Sequence, residues 1–287
     1  MNVAERITAV AVVGGGLMGS GIAESAAAAG HPVVLCDIDQ AAIDRASQRL
    51  DASLARAIEG GKRTEADAVA LRERITLSTD LAEISAAEIV IEAVPEDPRL
   101  KLEVLATISK RVSDRAIIAS NTSSIPIAEL AAAIGGPERV LGLHFFSPVP
   151  VMRLVEIVVA LETSDETVSR ARSFAQSLGK TAIESKDRSG FIVNLLLVPY
   201  LFSAVRMIEE GFASREDIDA GMKLGCGHPM GPLTLSDFIG LDVLCSIGDS
   251  LYDEFRRPEY SPPPLLRRMV AAGRLGRKSG RGFYEYG

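Results

Sequence analysis

The sequence predicts an α/β protein with two domains: a doubly wound, parallel sheet domain over residues 1–186 and an all-helical domain over 187–287. Three observations carry this. Short β-branched runs alternate with amphipathic helical stretches, the first of those runs breaks into a glycine-rich turn, and everything after Lys186-Asp187-Arg188-Ser189-Gly190 is helical in pattern.

The first strand is the apolar run Ile7 to Val13. It breaks at Gly14-Gly15-Gly16-Leu17-Met18-Gly19 and passes into the Ala-rich stretch Ile22 to Ala29, so it reads as strand, tight turn, helix. In this G-x-G-x-x-G pattern Gly14 allows the turn, Gly16 lets the backbone come close to a pyrophosphate, and Gly19 lets helix pack on strand. The N–H groups of the helix start, at Leu17 and Met18, face the anion. The second strand, Pro32 to Cys36, ends on Asp37, eighteen residues beyond Gly19. A carboxylate there accepts both ribose hydroxyls of the adenosine half and repels a 2′-phosphate, which favours NAD over NADP. The competing reading is a small-residue helix start beside a surface acid. Strand, glycines, helix, strand and acid in register favour the Rossmann-like dinucleotide site.

A long helix follows from Gln40 to about Glu59, with Ile43, Ala46, Leu50, Leu54 and Ile58 on one face. Ser53, Arg56 and the nearby Lys62 lie on its exposed side, where simple solvation accounts for them. After the Gly60-Gly61 turn come a helix at 64–73 and strands at 75–77, 88–93, 116–119 and 139–143, separated by helices near 99–111 and 126–134. Ligands of such sheets sit beyond the carboxyl ends of the strands. That singles out Glu96 and Lys101, the run Ser120 to Ser124, and His144. Residues 145–150 are too Pro-rich for a helix and read as a connection. Arg153 to Val159 is a β-branched strand with one acid, Glu156, which needs a partner. A helix starting at Thr163 or Ser164 and a strand at 181–184 complete the domain. In the second domain, Phe191 to Glu210 is a nearly all-apolar helix, and self-association is the simplest way to bury it.

Apolar residues make up 47% of the chain and charged residues 24%, the ordinary globular range. A net charge of −7 without a long basic cluster argues against nucleic acid. Cys36, Cys226 and Cys245 are odd in number and widely spaced, so they predict neither a disulfide framework nor a metal site, and a reducing compartment is expected. With no room for a targeting peptide before the first strand and no apolar run long enough to span a bilayer, the chain reads as cytoplasmic, without a membrane partner.

The chain has three histidines. His31 and His228 lie in Gly-His-Pro turns, where solvation is expected of His31, whereas His144 sits at a strand's carboxyl end on the cofactor side. Glu156, twelve residues on, falls on the next strand, and a turn can bring the two together. A carboxylate accepting from one ring nitrogen sets the tautomer and stabilises the imidazolium, leaving the other nitrogen to take a proton. A core histidine in a satisfied ion pair is the alternative; the adjoining dinucleotide site tips the balance toward a general base.

Eight segments in order carry a resemblance: I-E-A-V-P-E-D at 91–97, A-S-N-T-S-S at 119–124, L-H-F-F-S-P-V-P-V-M at 143–152, G-F-I-V-N at 190–194, V-P-Y-L at 198–201, A-S-R-E-D-I-D at 213–219, H-P-M-G-P at 228–232 and G-R-K-S-G-R-G-F-Y at 276–284. Together they span essentially the whole chain, which resembles the 3-hydroxyacyl-CoA dehydrogenase family and most closely its short 3-hydroxybutyryl-CoA enzymes. The resemblance implies NAD-dependent interconversion of an (S)-3-hydroxyacyl-CoA and its 3-oxo form. By it, His144 is the base and Glu156 its orienting partner, while Ser123 and Asn194 hold the substrate's oxygens. Glu96, Lys101 and Ser123 line the cofactor pocket, Lys278 reaches it from the helical domain, and Ser53, with Lys62, lies by the CoA nucleotide. It also implies a homodimer through the helical domain and catalysis that needs both domains.

Two departures stand out: Ser147 where the family usually has Asn, near the nicotinamide side, and Leu195 where many relatives have Arg. Two other readings stay open, a dehydrogenase of a non-CoA 3-hydroxy acid of the sugar-acid or carnitine type and a non-catalytic NAD-binding relative. The presence of Ser123, His144, Glu156 and Asn194 speaks against the latter.

Overall fold

The computed structural model describes residues 7–287. The chain divides into two compact units, one running through Asp187 and the other Arg188–Gly287.

The first unit begins with β1 (Val10–Val13), α1 (Leu17–Ala28) and β2 (Val33–Cys36), followed by α2 (Gln40–Glu59), α3 (Glu65–Arg72) and β3 (Ile75–Ser78). Then come β4 (Ile89–Glu92), α4 (Pro98–Ser109), β5 (Ile117–Ser120), α5 (Ile127–Ala131), β6 (Val140–Phe145), β7 (Leu154–Val159), α6 (Asp165–Ser177) and β8 (Thr181–Lys186). The strands form one eight-stranded sheet in the order β3-β2-β1-β4-β5-β6-β7-β8. Neighbours from β3 to β6 pair parallel, β6 and β7 pair antiparallel, and β7 and β8 pair parallel. The order reverses between β1 and β4, the switch point at which a doubly wound sheet opens a crevice for ligands.

Local chemistry explains the elements. β1, β4 and β5 are buried at every position and, apart from Glu92 at the end of β4, β-branched or small, as suits strands covered on both faces. Asp39 caps α2 by accepting from the Ala42 N–H, and the helix buries Ala42, Ile43, Ala46, Leu50 and Leu54 at helical spacing. Burying each leucine contributes about 2 kcal/mol. Asp97 caps α4 by accepting from the Arg99 and Leu100 N–H groups, with Pro98 in the first turn.

Two expectations need correction. His31 is buried rather than solvated: a ring nitrogen lies 2.9 Å from Ser177 Oγ, and the ring packs on Phe174. The Gly-His-Pro turn faces α6, which the sequence pattern does not disclose. β6 extends to Phe145, two residues past the expected end, so His144 lies within the strand. Pairing with β7 on its other edge supplies the hydrogen bonds that prolong it.

The second unit comprises α7 (Val193–Glu209), α8 (Arg215–Cys226), α9 (Pro232–Ile239), α10 (Leu241–Phe255) and α11 (Pro264–Ala271). Its core includes Val198, Leu201, Phe202, Val205, Leu233, Leu244 and Leu251. α9 and α10 are separated at Gly240, whose φ of 105° few side chains tolerate. Two buried acids tie this unit together. Asp219 accepts from the N–H groups of Leu233 and Thr234 and from two hydroxyls, Thr234 Oγ1 and Tyr284 OH. Asp237 accepts from the N–H groups of Phe283 and Tyr284 and from Tyr286 OH.

Candidate active site

The glycine turn follows β1. Gly14 has φ +104°, and a Cβ on Gly19 would come within 1.8 Å of the Gly14 carbonyl oxygen, so neither position accepts a side chain. Beside Gly16 nothing lies within 4 Å of where a Cβ would stand. Gly16 is also the N-cap of α1, and no side chain caps it. An uncapped helix start behind an open glycine fits a diphosphate. Asp37, past the end of β2, accepts from the Gly15 N–H at 2.7 Å and the Ile38 N–H at 2.7 Å, which fixes the carboxylate beside the turn. The donor set therefore fits NAD: N–H groups for the diphosphate and a carboxylate for the ribose.

Across the switch point lies a cluster of charged and hydroxyl groups. Register places Glu92, the last residue of β4, opposite Ser120, the last of β5. Glu92 is fully buried. Its Oε1 accepts from Lys101 Nζ at 2.7 Å and the Val94 N–H at 2.7 Å, and its Oε2 from Ser120 Oγ at 2.6 Å. Lys101, also buried, lies 3.3 Å from Glu96 Oε2. Glu96 Oε1 accepts from Thr122 Oγ1 at 2.5 Å, the Ser123 N–H at 3.0 Å and Ser124 Oγ at 3.0 Å. Burial works to raise the Glu96 carboxyl, but the Lys101 ammonium and these three donors outweigh it and hold its pKa below the usual range. The turn carrying Ser123 is thus pinned from beneath. Asn121 extends the order to β6, its Oδ1 accepting from the Phe145 N–H at 3.0 Å.

On β6, His144 stands directly opposite Glu156 of β7 in the antiparallel register. His144 Nδ1 lies 2.6 Å from Glu156 Oε2, and both side chains are buried. An Nδ1–H donated to this carboxylate leaves the ring's basic lone pair on Nε2. The Phe146 ring packs on the imidazole at 4.6 Å between centroids. The connection to β7 is held by Lys180, whose Nζ donates to the carbonyls of Val149 at 2.7 Å and Met152 at 2.8 Å.

Ser53 and Ser147 line one cavity of about 170 Å³, with Leu17, Glu24, Arg49 and Arg56 among the other walls. Lys62 is not among them; it is exposed in the turn after α2. Glu24 is the cavity's buried acid. Burial pushes its carboxyl above the usual range, opposed by a hydrogen bond with Ser53 and the charges of Arg63 and Arg56. In the helical unit, Asn194 lies half-buried in the first turn of α7, and Lys278 Nζ pairs with Asp242 at 2.6 Å.

Sequence reasoning overlooked Glu92, Glu24, Arg49 and the anchoring role of Asn121. Glu92 could have been flagged as an acid closing an otherwise apolar strand, the same signal that marks Glu156.

The sequence profile of the 3-hydroxyacyl-CoA dehydrogenase NAD binding domain matches residues 9–188, and that of the 3-hydroxyacyl-CoA dehydrogenase C-terminal domain matches residues 190–286. The chain is 52% identical over 284 residues to a 3-hydroxybutyryl-CoA dehydrogenase of Mycobacterium tuberculosis, covering 98% of this chain and 99% of the relative. It is 47% identical to a probable 3-hydroxybutyryl-CoA dehydrogenase of Bacillus subtilis, covering 98% of each. Among solved structures, M. tuberculosis FadB2 superposes with a TM-score of 0.97 at 51% identity, covering 99% of this chain and all of that one. The (S)-3-hydroxybutyryl-CoA dehydrogenase PaaH1 of Ralstonia eutropha superposes with a TM-score of 0.93 at 47% identity, covering 98% and 99%. Profiles over both units, full-length relatives and a site built to hold NAD agree: the chain belongs to the 3-hydroxyacyl-CoA dehydrogenase family.

Proposed function

We propose that this enzyme interconverts (S)-3-hydroxybutyryl-CoA and its 3-oxo form with NAD, using His144 as general base and Glu156 as its orienting partner. The observation that carries the reading is the buried 2.6 Å contact between the two, at the carboxyl edge of the dinucleotide-binding sheet. Bound NAD supplies the acceptor for the hydride that leaves C3. His144 Nε2 takes the proton of the 3-hydroxyl, and the Glu156 carboxylate stabilises the imidazolium that forms. As C3 becomes a carbonyl, negative charge passes through the oxygen, and a donor from Ser123 meets it there. In the reverse direction the imidazolium returns the proton.

Gly14, Gly16, Leu17, Met18, Gly19 and Asp37 are assigned to the adenosine and diphosphate half of NAD, and Glu96, Lys101, Ser123, Ser147 and Lys278 to the nicotinamide half. Ser53 is assigned to the CoA arm. The Ser53 cavity favours Arg49 and Arg56 over Lys62 as its basic partners. A homodimer is supported by apolar side chains left exposed in the helical unit, Leu196 at 71%, Phe212 at 73% and Leu224 at 87%. Three unpaired thiols support a reducing cytoplasmic setting.

The test is NADH oxidation, followed by absorbance, with acetoacetyl-CoA. Turnover is expected. An enzyme that binds NADH yet leaves acetoacetyl-CoA and longer 3-oxoacyl-CoA thioesters untouched would overturn the reading, as light scattering from a monomer at micromolar concentration would overturn the dimer.

A further inference from the structure

The Glu92, Lys101 and Glu96 cluster is richer in charge than holding a turn requires. Two carboxylates face one ammonium, so it carries one net negative charge. Both Glu92 oxygens accept from donors: Oε1 from Lys101 Nζ and the Val94 N–H, Oε2 from Ser120 Oγ. Glu92 and Lys101 have side-chain exposures of 0% and 1%, where water screens little, while Glu96 at 36% is the end that opens outward.

The cluster's place in the sheet decides what it faces. In the order 3-2-1-4-5-6 a dinucleotide lies across the switch point between β1 and β4. Asp37 marks the adenosine side at the end of β2. The other half of the crevice, over the carboxyl ends of β4, β5 and β6, takes the nicotinamide, and Glu92, Ser120 and His144 stand at those ends. The nicotinamide ring is cationic in NAD+ and neutral in NADH.

We propose that this cluster tunes the choice between the two redox forms of the cofactor, its net negative charge stabilising the cationic ring of NAD+ relative to the neutral ring of NADH. The inference rests on the reading of this crevice as an NAD site. Hydrogen bonds alone would be met equally well by neutral groups; a net charge acts differently on the two forms. The cluster thereby weights the equilibrium on the enzyme toward oxidised cofactor, independently of the proton that His144 handles.

The experiment measures binding rather than turnover. NADH affinity is read from cofactor fluorescence and NAD+ affinity from calorimetry, on the full-length protein with folding checked by circular dichroism. In E92Q, which removes the net charge, the dissociation constant for NAD+ is expected to rise roughly tenfold while that for NADH changes by less than about twofold. The double variant E92Q/K101M leaves Glu96 as the net charge, and the ratio of the two constants returns toward that of wild type even where both affinities drop together. S120A removes a hydrogen bond from the same carboxylate without changing charge and leaves the ratio in place. Equal weakening of both forms in E92Q, or no change in either, overturns the proposal and leaves the cluster a structural one. If E92Q does not fold, E96Q makes the same charge change at the exposed end and has to move the ratio the same way; an unmoved ratio there overturns the proposal. A wild-type protein that binds neither form would instead overturn the reading of the crevice.

Discussion

Buried acids occur in both units, but their partners differ in kind. In the helical unit Asp219 and Asp237 are met by backbone N–H groups and hydroxyls, Tyr284 and Tyr286 among them. Burial, reinforced by Asp237, pushes the Tyr286 hydroxyl up to about 12, so it stays a donor across the physiological range. In the sheet unit Glu92, with the more exposed Glu96 beside it, is met by Lys101 and Glu156 by His144. An acid surrounded by neutral donors fastens chain to chain, whereas an acid paired with an ionisable group can share in proton traffic or set a local field.

That contrast can be tested, beginning with the pair expected to matter most for turnover. His144→Ala is expected to lower kcat with acetoacetyl-CoA by at least about a hundredfold and, because it takes the ion-pair partner from the buried Glu156 carboxylate, to lower the thermal midpoint as well. A loss of stability with the rate per folded molecule unchanged would make the histidine a core residue. Glu156→Gln retains a hydrogen-bond acceptor but not the charge, and a loss of roughly ten- to a hundredfold in kcat is expected. An unchanged rate would remove Glu156 from the mechanism.

Asp237→Ala should reverse the pattern. It strands the Phe283 and Tyr284 N–H groups, so urea denaturation is expected to register a loss of about 2–4 kcal/mol, while activity per folded molecule falls far less than in His144→Ala. Glu96→Gln is expected to act on acid stability. The Glu96 pKa is lower in the folded protein than in the unfolded chain, so its contribution is present at neutral pH and fades as pH falls through the folded value. The variant should therefore lose less stability than wild type between about pH 5 and pH 3, as melts across that range would record. The smallest effect belongs to the exposed pair Arg256 and Asp253. Arg256→Ala is expected to shift stability by less than about 0.5 kcal/mol, and a larger shift would assign that surface pair a role.

Much of the site could be read from sequence because its signals are local. The glycine spacing and Asp37 lie in one strand-turn-helix-strand run, while His144 directly follows one predicted strand and Glu156 is the lone acid of the next. Glu92 and Lys101 escaped pairing because their contact depends on how far α4 folds back over the ends of β4 and β5. The cavity around Ser53 draws on α1, α2 and residues 147–150, and no periodicity foretells that Arg49 rather than Lys62 turns toward it. His31 shows the same limit: its turn is polar in sequence, yet its burial is decided by α6, more than a hundred residues away.

The facing of His144 and Glu156 across an antiparallel pair also sets where this chain can accept engineering. Side chains on a strand alternate faces, so a single residue inserted within β7 ahead of Glu156 would turn its carboxylate away from the imidazole. The preceding connection has little slack to absorb the change, since Lys180 grips it at Val149 and Met152. The Gly60-Gly61 turn, exposed and remote from that pairing, is the better place for a tag or a grafted loop.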